Sequence, residues 1–152
     1  MSLGSPAPAA WFGIPEADRE GRAALSSDQC IIDSEYFFLL GQLHIPVLGS
    51  DQPFTWLTWV SVSEANFDRA SDLWHTAGRE SEPPYFAWIQ STFPYSQDTL
   101  NLKAALHTQP LGERPLVQLE LSEHPLALEY HNGITMARVQ ELVESSLHGT
   151  AA

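Results

Sequence analysis

"YFFLLGQLHIPVLG" (36–49) and "FTWLTWVSVS" (54–63), joined through the turn-forming "GSDQP" (49–53), decide the fold. Both runs alternate with a period of two, the pattern of strands whose successive side chains point to opposite faces. In the first, the odd positions Phe37, Leu39, Gly41, Leu43, Ile45 and Val47 form a nearly all-apolar face. Its even positions, Tyr36, Phe38, Leu40, Gln42, His44 and Pro46, form a mixed one. In the second, the core-like positions are even: Phe54, Trp56, Thr58, Val60 and Val62. A hairpin must therefore match the odd face of one strand to the even face of the other, because a one-residue slip turns every apolar side chain outward. Trp56 is expected in the core. Trp59 is expected on the second face, beside Gln42 and His44.

Outward from the hairpin, "DQCIID" (28–33) reads as a short strand, and Pro15 opens a helix near 15–24 that Gly21 weakens. Residues 1–10, "MSLGSPAPAA", read as a flexible leader. After the hairpin, Ser63 is positioned to cap a helix carrying Phe67, Ala70 and Trp74. Strands follow at 85–92, at 99–108 with Leu100, Leu102, Ala104 and Leu106 inward, and at 116–121 with Val117, Leu119 and Leu121 inward. Pro125 opens a helix that Asn132-Gly133 closes, and Thr135 caps a last helix to about Leu147. Short turns favour antiparallel pairing. The expected fold is one α+β domain over 11–148, a mostly antiparallel sheet with helices packed on one face, and a tail at 149–152.

Seven basic residues against nineteen acidic ones give a formal net charge of −12. Such a surface repels phosphate backbones and argues against nucleic acid and anionic membranes as partners. The single cysteine, Cys30, excludes an intrachain disulfide and a cysteine-built zinc cage within this chain. No apolar run reaches the length of a membrane span, and the first residues lack the basic and apolar regions of a secretory signal. A cytoplasmic location is the expectation.

The runs "LSSDQCIIDSEYFFLLGQLHIPV", "FTWLTWVSVSEANF" and "DTLNLKAALHTQPLGERPLVQLELSEHPLALEYHNGIT" resemble the bacterial DUF2199 family over roughly residues 11–148. The combination D-Q-C-I-I-D, W-V-S-V-S-E, T-L-N-L-K and H-T-Q-P-L-G-E-R-P followed by H-P-L-A carries the resemblance. It implies a domain of unknown function and brings no reaction. Many members open with a C-x-x-C-G-x-x-H segment like half a zinc site. Nothing of that kind precedes Trp11, so a metal role is not carried over. Leu57 stands where the family's W-G-x-W pattern has glycine.

No Gly-rich phosphate loop, G-x-S-x-G elbow or H-E-x-x-H spacing occurs, so no catalytic residue, metal ligand or cofactor is assigned. Cys30, flanked by isoleucines, reads as a buried structural thiol. His124, ahead of a helical proline, reads as a cap, and Arg114 as a partner for a nearby acid. The one constellation is the second sheet face, where His44, Trp59, Lys103, His107, Gln118 and Glu120 point outward if the strands share one sheet. Two readings stay open. The favoured one is a non-enzymatic binding or interaction module, with an unknown protein partner or a second copy on that face, giving a homodimer. The alternative is an enzyme or small-ligand binder using the same patch for a polar ligand, with Trp59 stacking on it. An ordinary solvated sheet face would look the same. A variant of that reading holds Tyr36, Phe38, Leu40 and Trp59 too apolar to stay wet, so that another chain or the N-terminal segment covers them.

Overall fold

The computed structural model describes residues 2–148, so the tail expected at 149–152 lies outside the described residues. In chain order the elements are β1 (Ser2–Gly4), α1 (Ala9–Phe12), α2 (Arg19–Arg22), β2 (Ala23–Leu25), β3 (Gln29–Ile32), β4 (Tyr36–Ile45), β5 (Phe54–Val62), α3 (Glu64–Asp72), β6 (Tyr85–Ile89), β7 (Lys103–His107), β8 (Leu116–Leu119), α4 (Pro125–Asn132) and α5 (Met136–His148).

The hairpin forms in the register its alternation requires: Leu39 lies opposite Val60, Leu43 opposite Trp56 and Ile45 opposite Phe54. Both strands are longer than their outer neighbours, so each takes two partners in succession along its other edge. On β4, the partner is first β3, opposite Tyr36–Leu39, and then β8, where Gln42 meets Leu116. On β5, it is β1 opposite Thr55–Leu57 and then β6 opposite Val60 and Ser61. With β6–β7 and β7–β8 antiparallel, the strands β4, β5, β6, β7 and β8 close into a five-stranded mixed barrel. An odd number of strands, each antiparallel to the one before, can close only through one parallel pair. That seam is β4–β8.

The α+β content and the mostly antiparallel pairing agree with the sequence reading. The arrangement of helices on one face of an open sheet does not. The apolar face curls onto itself and becomes the barrel interior, which removes the long edges an open sheet would expose. The helices close its ends. Phe67 of α3 packs on Phe37 at a ring separation of 5.3 Å. At the opposite end, Leu126 and Ala127 of α4 and Leu142 of α5 complete the same core, and Ile134 bridges to Val47. Ser63 caps α3 by accepting the Asn66 N–H at 3.1 Å, and Thr135 caps α5 by accepting the Arg138 N–H.

Closure depends on Gly41. A Cβ there would lie 2.7 Å from Val117 Cγ2 and 3.1 Å from Leu106 Cδ1, at the parallel seam. Gly41→Ala is therefore expected to destabilise the protein by roughly 2 kcal/mol through overpacking. The check is the urea midpoint of the variant against the parent; an unchanged midpoint would mean that the seam has slack.

Residues 2–10, expected as a flexible leader, are instead part of the fold. Ser2–Gly4 adds to β5 in parallel, and the segment that follows runs over the outside of the barrel. The physical reason is the mixed face. Phe38, Leu40 and Trp59 are too apolar to remain in water, and with Cys30 and Ile32 they form a second core under Ile14 and Trp11. The helix expected at 15–24 shrinks to a 3-10 turn and the single turn α2, because Ala23–Leu25 pairs with Cys30–Ile32. The strand expected from 99 begins only at Lys103, since Asn101 takes a left-handed conformation (φ 67°) that breaks the extended run.

Candidate functional site

The six residues that alternation places on one outward face are divided in the structure. Lys103 and His107 on β7, with Gln118 on β8 and Glu120 just beyond it, point outward from the barrel. His107 Nε2 lies 2.7 Å from Gln118 Oε1, and the Glu120 N–H donates to the Lys103 carbonyl at 3.0 Å. Sequence reasoning did not orient β6, whose outward residues Phe86 and Trp88 complete this surface. Their rings meet edge to face at 5.0 Å, and Lys103 Nζ lies 5.9 Å from the Trp88 ring. Trp59 is not part of it. It is 0% exposed, and its Nε1–H donates to the Ser5 carbonyl at 3.0 Å. A ring so covered cannot stack on a ligand.

His44 lies on the same outer side but is held to β5, with Nδ1 2.7 Å from Thr55 Oγ1. Partial burial lowers its pKa from the ordinary 6.5. For a base, that means the unfolded chain takes up the proton first. Stability contributed by neutral His44 is thus complete above about 6.5 and is lost as the pH falls below it toward the folded-state pKa. The urea midpoint should fall more between pH 7.5 and 5.5 in the parent than in His44→Gln. Equal falls would remove His44 from the acid response.

A concavity lies elsewhere, where β4 changes partner. The Leu40 N–H donates to the Asp28 carbonyl at 3.0 Å and the Gln42 N–H to the Pro115 carbonyl at 2.9 Å, and beside this changeover lies a cleft of about 730 Å³. Its floor is apolar and buried: Leu39, Leu40, Tyr85 and Leu106. Ala70, Leu73 and Trp74, at and just beyond the end of α3, form one wall, and the loop 108–115 forms the other. Asp28 and Arg114 stand at the seam, joined at 2.8 Å from Arg114 Nε to Asp28 Oδ1.

Arg79 holds the loop wall. Its Nε donates to the Gln109 carbonyl at 2.8 Å and its Nη1 to the Trp74 carbonyl at 3.1 Å. Its Nη2 reaches the Pro110 and Glu113 carbonyls at 3.1 and 3.0 Å. Tyr85 at the floor donates its hydroxyl to Glu82 Oε1, and burial together with that carboxylate pushes its pKa up to about 12. The phenol therefore stays neutral and acts as a donor. Arg69 pairs with the same Glu82 and keeps its carboxylate pKa below the usual range.

The remaining chemistry-bearing residues have structural places. Cys30 is fully buried, and burial pushes its thiol up to about 11, far from a nucleophile's range. His124 caps α4 by accepting the Leu126 N–H on Nδ1, while its Nε2–H donates to the Asp98 carbonyl. Among the described residues, no three His, Cys, Asp or Glu side chains are grouped to hold a metal ion, and no helix is long and apolar enough to cross a membrane.

A small mixed barrel, closed by helices at its ends and opened by a cleft at its parallel seam, is the class of protein these elements define. The chain belongs to the DUF2199 family, described as uncharacterized proteins conserved in bacteria, whose model matches residues 1–134. The match includes the first strand and the covering segment. No curated protein matches the chain, and no solved structure does.

Proposed function

We propose that the protein is a non-enzymatic cytoplasmic binding module, and that its ligand is a small molecule held in the cleft at the β4–β8 seam. The observation that supports this reading most directly is the cleft itself. A volume of about 730 Å³ with an apolar floor and a polar rim is the size and make-up of sites that enclose small ligands. The test uses Nile red, a neutral apolar fluorophore. It should bind the native protein saturably at one site, and Ala70→Phe, which fills the cleft from α3, should abolish the signal without unfolding the chain. Saturable binding that survives Ala70→Phe would place the site elsewhere, and absence of saturable binding would defeat the reading.

A second reading keeps the outer face as an interaction surface for a second copy. It is supported by Phe86 and Trp88, which are 54% and 36% exposed on adjoining outward positions. Association through them should appear in sedimentation equilibrium and vanish in Phe86→Ser. A monomer at all concentrations would end this second reading and leave the first untouched.

A further inference from the structure

Resting on the ligand-binding reading, we propose that the cleft takes a monocarboxylate with an apolar body, its carboxylate seated on Arg114 and its body over Leu39 and Leu106. The charge arrangement carries the choice of an anion. The chain's net charge is −12 with seven cations in all, yet two of them, Arg79 and Arg114, line this one cleft. Asp28 and Glu113 also line it, so the lining is formally neutral within a strongly negative protein. An anion meets less repulsion here than over the rest of the surface.

Hydrogen-bond capacity points the same way. The Asp28 carboxylate accepts from Arg114 Nε on Oδ1 and from the Ser27 hydroxyl on Oδ2 at 2.9 Å, so its charge is already matched within the cleft. Arg114 engages Asp28 through Nε alone, and among the described residues its Nη groups have no partner. The side chain is 41% exposed at the rim. A guanidinium edge of this kind matches a carboxylate in a two-point contact. Arg79 adds positive charge that no described carboxylate pairs with, since its side-chain hydrogen bonds all go to backbone carbonyls.

The test is isothermal titration calorimetry of the full chain with octanoate, octan-1-ol and octylammonium. Octanoate should bind about tenfold tighter than the other two. Arg114→Gln should reduce octanoate to the level of octanol while leaving octanol unchanged. The Arg114 backbone carbonyl that accepts the Gln42 amide remains in that variant, so the seam is kept. Asp28→Asn, which releases the guanidinium, should tighten octanoate by several fold and provides an independent variant. Equal affinity for octanoate and octanol, insensitive to both substitutions, would overturn the anion assignment while leaving the ligand-binding reading in place. Tightest binding by octylammonium would overturn it in favour of a cationic head. No heat from any of the three, together with loss of the Nile red site, would take the ligand-binding reading down with it.

Discussion

Replacing Trp59 with alanine is expected to lower the unfolding free energy by about 3–5 kcal/mol, the range for truncating a large buried aromatic. Trp59 is 0% exposed and packs with Phe38, Leu40, Cys30, Ile32 and Ile14 outside the barrel wall. Its backbone N–H donates to the Ser91 hydroxyl at 2.9 Å and its indole to Ser5, so it ties β5 both to the strand end after β6 and to the N-terminal segment. Urea denaturation followed by circular dichroism gives the number. A loss below about 1 kcal/mol would show that Trp59 is not in a packed core.

The same packing predicts a coupling. A chain beginning at Pro15 lacks β1, Ser5, Trp11 and Ile14, and so leaves one side of Trp59 in water. Trp59→Ala should cost markedly less in that shortened chain than in the full one, because the contacts it removes are already gone. Additive losses would mean that the segment and the ring stabilise the fold independently.

This residue also marks the limit of what alternation reveals. The odd-to-even register of β4 and β5 was legible because a strand with one apolar face has one workable pairing, and Leu39–Val60 and Leu43–Trp56 follow from it. Periodicity also assigned Trp59 to the outer face correctly. It could not say that Ser2–Ile14 returns to cover that face, because a parallel edge strand of three residues and a single helical turn leave no period to read. The surplus of apolar residues at Phe38, Leu40 and Trp59 was the available signal that something must cover them.

Closure into a barrel was hidden for a related reason. The β4–β8 seam joins residues far apart in sequence through one register position, and Gly41 was its only local mark. The cleft was illegible altogether. Its floor combines Leu39 and Leu106, inward positions that read as ordinary core, with Leu40 of the mixed face and Tyr85 of a strand that alternation did not orient. Its wall depends on Arg79, which opens a 3-10 turn (Arg79–Ser81) with no periodic neighbours. Only the predicted pairing of Arg114 with an acid touched it, and the partner, Asp28, lies 86 residues away.

Arg79→Ala is therefore expected to affect the fold and the cleft together. The side chain gathers four carbonyls, those of Trp74, Gln109, Pro110 and Glu113, around one guanidinium. Hydrogen bonds to a charged donor are each stronger than neutral ones, but the carbonyls lie near the surface and water can replace part of what is lost. A net destabilisation on the order of 3 kcal/mol follows. Arg79→Lys should recover less than half of it, since an ammonium cannot span four acceptors spread over two segments. The loop 108–115 should open in the alanine variant, so the Glu113 amide, which donates to the Pro110 carbonyl at 3.1 Å, should exchange its hydrogen faster. Nile red affinity should fall about tenfold, because a wall that must be ordered on binding charges that ordering against the complex. Native-state hydrogen exchange and a Nile red titration on the same three proteins decide the matter. A lysine variant indistinguishable from the parent in stability, exchange and binding would show that one contact suffices and that the four-carbonyl clamp is not what shapes the cleft.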